Sequence, residues 1–140
     1  MSVTNEAPVI DKWISQRLKA SPALVSAVDG RIRADMSQPG EPFPIVIFSA
    51  LSAGVDVLAR TTRVMTTAVY LVKVVGQTGS YVPLQPIADL IDQALHEQES
   101  TLDGYRITCW REGIVRYGEA VDGVQFRHLG GRYRVQAHRL

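Results

Sequence analysis

The stretch Pro42–Gln77 holds two apolar, β-branched runs separated by a polar connector, Ser52–Arg63. The runs Ile45–Leu51 and Arg63–Val75 have the length and residue types of strands, and together they predict the central hairpin of an antiparallel sheet. In the second run, both alternating sets of positions carry apolar side chains, so neither set is clearly solvated. One layer of helices covers only one face of a sheet. The other face is therefore predicted to need a partner, which indicates an assembly component rather than an enzyme.

Helical spacing of apolar residues predicts two main helices, at Ala7–Ala20 and Pro83–Glu99, each with one apolar stripe. The stripes are Val9, Ile10, Trp13, Ile14 and Leu18 in the first helix and Leu84, Ile87, Leu90, Ile91 and Leu95 in the second. A short helix is predicted between them at Pro22–Val28, ended by Asp29-Gly30.

The remaining predicted strands are Arg31–Asp35, Tyr105–Trp110 and Val124–Ala137. Gly130-Gly131 is either a bulge within one long strand or a two-residue hairpin turn, and we favour the bulge. The predicted fold class is thus α+β: an antiparallel sheet of about four main strands with two main helices packed on one face. The length of 140 residues predicts a single domain, 1–140.

Composition narrows the class of protein. With 46% hydrophobic and 21% charged residues, the chain has the make-up of a folded domain. The net charge of +1 argues against nucleic-acid binding by bulk charge alone. The first residues resemble no signal peptide, and no apolar run is long enough for a transmembrane helix, so no membrane association is expected.

Residue spacing predicts no catalytic, cofactor-binding or metal site. The three histidines show no His-x-x-x-His pair, no Gly-x-Ser-x-Gly elbow occurs, and no glycine cluster matches a phosphate-binding loop. Cys109 could be approached by His128 or His138 across a strand pair, but a small buried thiol is the better interpretation. We therefore expect a protein that is not an enzyme.

Arginine is concentrated near the C-terminus, where residues 105–140 contain seven arginines and three acidic residues. We predict an inter-subunit or partner interface because the planar guanidinium binds carboxylates bidentately. A solvated face, or a nucleic-acid-binding module formed by the Arg/aromatic strands, are the alternatives. The candidate interface residues are Arg106, Arg111, Arg116, Arg127, Arg132 and Arg134, together with Val55, Val57 and Leu58 from the polar connector.

The order of these segments resembles a known family. The segments are the helix Val9–Leu18, the proline-entered strand Phe43-Pro44-Ile45-Val46-Ile47-Phe48, the long strand Ala68–Val74, the helix Ala88–Leu95, the strand opening Gly104-Tyr105-Arg106 and the last strand with Tyr133-Arg134-Val135. Taken together, they resemble the tail terminator, or tail completion, proteins of long-tailed bacteriophages.

The resemblance implies a virion structural protein that forms a ring, typically a hexamer, at the head-proximal end of the tail tube. Such a ring stops tube polymerisation and joins the tail to the head. The implied partners are other copies of the chain, the tail tube protein and a head-completion or neck connector protein. DNA would pass through the lumen without sequence-specific binding. Another head–tail connector or neck protein is the alternative.

Overall fold

A computed structural model describes residues 6–52, 55–59 and 62–140. Three helices occur in this part of the chain, α1 (Glu6–Lys19), α2 (Pro22–Ala27) and α3 (Gln85–Leu95), and a short 3-10 helix, Val82–Leu84, precedes α3. The strands are β1 (Ile32–Ala34), β2 (Ile45–Ala50), β3 (Val55–Ala59), β4 (Thr62–Gly76), β5 (Gln98–Leu102), β6 (Tyr105–Val121) and β7 (Val124–Arg139).

The predicted fold class is wrong, because β structure dominates and forms one curled, mixed sheet of seven strands. The strand order is β1-β2-β4-β7-β6-β5, and β3 also pairs with β4. β1 runs parallel to β2, whereas all other neighbours are antiparallel. The expected sheet of about four antiparallel strands lacked β3 and β5.

Two tight hairpin turns connect the last three strands. Asp103-Gly104 joins β5 to β6, and Asp122-Gly123 joins β6 to β7; all four residues have positive φ, between 49° and 84°. This is the backbone of a type I′ turn, for which Asp-Gly is a favoured pair because it tolerates the left-handed region at both positions. Each turn folds the chain directly back into an antiparallel neighbour.

The central hairpin is present as predicted, since β2 pairs antiparallel with β4 from Ile45↔Val75 to Ala50↔Tyr70. The connector between them is not only a loop, because it contains β3, which pairs with the first half of β4. β4 is thus the organising strand of the sheet, with β2 and β3 along one side and β7 along the other.

The helices pack on one face of the sheet, which we call the covered face. Val72, Val74, Val135 and Ile107 on this face are 0% exposed. Side-chain hydrogen bonds link the two layers: Tyr70 donates to Asp11, Tyr133 donates to Asp92 at 2.9 Å, Trp13 Nε1 donates to Ser100 at 2.6 Å, and Arg17 donates to Gln98 at 2.6 Å. The apolar stripes of α1 and α3 complete the core.

Gly130 and Gly131 lie inside one continuous strand, β7, as favoured, but they are not its bulge. The irregularity in the register lies in β6 between Arg111 and Gly113, opposite Tyr133 and Arg132. A Cβ on Gly130 would sit 2.1 Å from the carbonyl oxygen of Val72 and 2.5 Å from Cα of Lys73. Glycine is therefore required because β4 and β7 approach too closely at this point for any side chain.

Candidate assembly interface

The opposite side of the sheet, which we call the uncovered face, carries apolar side chains that are only half-buried. They alternate along the same strands with the core residues and include Ile47, Val69, Leu71 and Val115. Among the residues that the structure describes, no helix packs on this face. Ile45 and Val75 are buried there, beside the ring pair Phe43 and Phe126, whose centroids are 5.1 Å apart.

A polar cluster crosses the uncovered face from β4 to β6. Lys73 Nζ donates to the Tyr117 hydroxyl at 2.5 Å, and the Tyr117 ring stacks on His128 with centroids 4.2 Å apart. His128 Nε2 lies 2.7 Å from Glu119 Oε1. Burial lowers the pKa of His128 below its ordinary value, and the hydrogen bond to Glu119 opposes this shift. Cross-strand contacts of this kind fix the position of β6 and β7 where they leave the sheet.

The end of the β6–β7 hairpin projects beyond the rest of the sheet. The last pair between β4 and β7 is Gly76↔Arg127, so residues 118–126 extend as a two-stranded arm. Val121 is 51% exposed near the tip of the arm. An exposed two-stranded arm with apolar side chains is typical of a contact surface rather than of an isolated domain.

The six arginines of the predicted interface separate into two groups. Three form ion pairs within the chain: Arg106 with Glu99 at 3.4 Å, Arg111 with Asp92 at 3.7 Å, and Arg134 with Glu112 at 2.6 Å.

The other three arginines have no acidic partner among the residues that the structure describes. Arg116 and Arg127 lie over the ring of Tyr81, with guanidinium carbons 4.4 and 5.8 Å from its centroid. Arg132 is exposed and extends beside Gly113, where the missing side chain leaves room for its guanidinium. These three arginines remain available to carboxylates from another chain.

The connector residues of the predicted interface lie in β3, at a margin of the sheet. Leu58 is 58% exposed. Val55 and Val57 pair through their backbones with Thr67 and Met65, and their side chains lie outside the described part of the chain. The alternation of Val55 and Val57 about Asp56 was the sequence signal for this strand, and the flanking polar residues obscured it.

Cys109 is 2% exposed, and burial raises the pKa of its thiol to about 12, so the thiol is protonated at neutral pH. Within ranges 6–52, 55–59 and 62–140, no three His, Cys, Asp or Glu side chains are grouped to hold a metal ion. None of the helices in those ranges has the length and hydropathy needed to cross a membrane.

Comparison with known proteins identifies a family. The family described as tail completion protein gp17 matches residues 12–116. A chain from the virion of a native gene transfer agent particle is 16% identical and has a TM-score of 0.67, and the match covers 89% of this chain and 91% of that one. The gp17 protein of bacteriophage SPP1 is 17% identical with a TM-score of 0.52, and the match covers 100% and 96% of the two chains. A search of curated protein sequences finds no match.

Proposed function

The chain belongs to the family of tail completion protein gp17, and from this membership we propose that it is the ring-forming terminator of a phage tail tube. Membership makes it a structural protein of the phage tail and a component of the virion. The proposal adds a position, the head-proximal end of the tube, and a task, the arrest of tube polymerisation.

The uncovered face carries this proposal. Half-buried apolar side chains such as Val69 and Leu71 cost little in an assembly but leave a monomer with an incomplete second layer. In a ring, the helices lie outside, and the uncovered face is turned toward neighbouring copies and the lumen. The face that a single chain leaves open is then enclosed within the assembly.

The mechanism of termination is geometric. One end of the ring is complementary to the last ring of the tail tube, and the other end presents a different surface, so no further tube subunit can add. The projecting arm, residues 118–126, is long enough to reach from the sheet of one copy to an adjacent protein. The second end of the ring receives a head-completion or neck connector protein.

The partners follow from that position. They are other copies of the chain, with a hexamer as the expected ring, the tail tube protein, and the neck connector. DNA passes through the lumen without sequence-specific contacts, in agreement with the net charge of +1.

The experiment locates the protein and counts its copies. Cryo-electron microscopy of tails carrying a labelled chain is expected to show one ring at the head-proximal end. Tails assembled without the protein are expected to be longer and variable in length. A label along the whole tube, or tails of normal length without the protein, would exclude a terminator.

A further inference from the structure

We propose that neighbouring copies in the ring meet side by side along the two margins of the sheet, with Asp29 of one copy facing Arg116 and Arg127 of the next. This inference rests on the proposed ring. It names the surface that joins the copies and the charges that select it.

The first step is the register of the sheet. One row of paired residues crosses it from margin to margin: Ile32, Val46, Val74, Leu129 and Arg116. Its first member lies in β1, which has no outer neighbour among the described strands. Its last member lies in β6 beyond Cys109, where β5 no longer pairs with it. The two open margins are therefore at the same height along the strands.

The directions of the two outer strands determine how neighbouring copies can meet. The pairings make β1 antiparallel to β6 within one chain. Rotation about a ring axis does not change the direction of a strand relative to that axis. The β1 margin of one copy thus meets the β6 margin of the next as an antiparallel neighbour, without a shift along the strands. Such a contact is heterologous, and repeating it closes a ring.

Charged side chains near the two margins are complementary in sign. Asp29 lies three residues before Ile32, and its side chain is 93% exposed. Asp29 lies in the turn between α2 and β1, at the N-terminal end of the β1 margin. Arg127 lies two residues before Leu129 on β7, which runs parallel to β1, so Arg127 is displaced from the row toward that same end.

Other charges on the β1 margin are already engaged within the chain. Arg31 is largely buried, donates to the carbonyl of Pro44 at 3.1 Å and lies 3.5 Å from Asp29. Arg33 makes three hydrogen bonds to the carboxylate of Glu41. Asp35, just beyond β1, is a second exposed acid. The acids that project from this margin are therefore Asp29 and Asp35.

The arginines on the β6 margin are held in place before any partner arrives. The guanidinium groups of Arg116 and Arg127 both lie over the ring of Tyr81. A Cβ on Gly118 would lie 2.7 Å from Nη1 of Arg127, so glycine provides the space for this arrangement. A cation that is positioned by an aromatic ring loses less conformational freedom when it pairs with a carboxylate.

The test uses two charge-reversed chains. One carries Arg116→Glu and Arg127→Glu, so that acidic side chains meet Asp29 across the contact; the other carries Asp29→Arg, so that basic side chains meet Arg116 and Arg127. Each alone is expected to self-associate at least about tenfold more weakly than the wild type. An equimolar mixture is expected to recover assembly with the two chains alternating, which native mass spectrometry resolves from their masses. Recovery in the mixture also proves that both variants fold.

The control is Lys12→Glu with Lys19→Glu on the exposed side of α1, which changes the net charge by the same amount as Arg116→Glu with Arg127→Glu but away from this row, and it is expected to associate like the wild type. If wild-type chains associate but the mixture associates no more strongly than either variant alone, the proposed contact between the margins is wrong, although the ring itself is not excluded. Absence of wild-type self-association at low salt overturns the proposed contact as well. Failure of the ring itself is read separately, from tails that show no ring at the head-proximal end.

Discussion

The two faces of the same strands differ in what completes them. On the covered face, Val72 and Val74 are fully buried, and the hydroxyl groups of Tyr70 and Tyr133 donate hydrogen bonds to carboxylates of the helices. On the uncovered face, Leu71 is half-buried, and the polar groups pair with one another across the strands. Adjacent residues of one strand thus serve two purposes: alternate positions stabilise the monomer, and the positions between them are left for the assembly.

The largest expected difference in the free energy of unfolding is between substitutions at two adjacent positions of β4. Val72→Asp places a carboxylate in the core without a partner and is expected to lower the free energy of unfolding by about 4 kcal/mol or more. Leu71→Asp is expected to change it by less than about 1 kcal/mol, because the side chain already reaches solvent. Urea unfolding followed by tryptophan fluorescence measures both. Equal losses at the two positions would mean that the uncovered face is a second core.

A smaller effect is expected where β4 and β7 approach most closely. Gly130→Ala puts a methyl group against the backbone of Val72 and Lys73, which cannot move independently of the sheet, at a cost of about 2–3 kcal/mol. Gly118→Ala meets only the mobile end of Arg127, and less than about 1 kcal/mol is expected. Thermal unfolding of the two variants compares them directly. A tolerated Gly130→Ala would contradict the close approach of these strands.

Removing single hydroxyl groups sharpens the comparison between the faces. Tyr133→Phe deletes the hydrogen bond to Asp92 between sheet and helix and is expected to cost about 1–2 kcal/mol. Tyr117→Phe deletes the contact with Lys73 on the uncovered face, where water replaces it, and about 0.5 kcal/mol or less is expected. Denaturant unfolding measures both losses, because variants with the same dependence on denaturant concentration can be compared by their midpoints. A larger loss of stability in Tyr117→Phe than in Tyr133→Phe would contradict the assignment of the two faces.

The smallest expected effect depends on pH and concerns His128. Burial lowers its pKa in the folded chain below the ordinary 6.5, so the unfolded chain binds the proton more readily. The contribution of His128 to stability is complete above about pH 6.5 and falls as the pH drops through the lowered pKa. NMR titration of the ring protons measures that pKa. In His128→Gln this part of the pH dependence is expected to disappear, and an unchanged slope would assign it to other groups.

Some elements could be predicted from local pattern because their physical cause is local. The spacing of Trp13, Ile14 and Leu18 indicated α1, and the apolar runs of β2 and β4 indicated their hairpin, which the register confirms. The resemblance to tail completion proteins is confirmed by the family match over residues 12–116. Hydrophobic periodicity is strong in these segments because they face the core over most of their length.

Other elements were not predicted, because tertiary contacts rather than the local residue pattern specify them. β5, with the sequence QESTL, has no buried residue, so alternation of burial does not mark it. The turns Asp103-Gly104 and Asp122-Gly123 were the available local signal. The split of the arginines is also a tertiary result, since Arg134 finds Glu112 across a hairpin, whereas Arg116 and Arg127 meet Tyr81. The interface predicted from them stays a prediction.

By itself, the sequence determined that this chain forms a sheet with apolar side chains on both faces, because that property belongs to the residue types along each strand. Only the tertiary structure decided which face the helices complete. That choice depends on where α1 and α3 return to the sheet and on the partners Asp11 and Asp92 that they bring to Tyr70 and Tyr133. The structure also decided which charges remain for a neighbour, because an arginine is available only after the fold has paired the others.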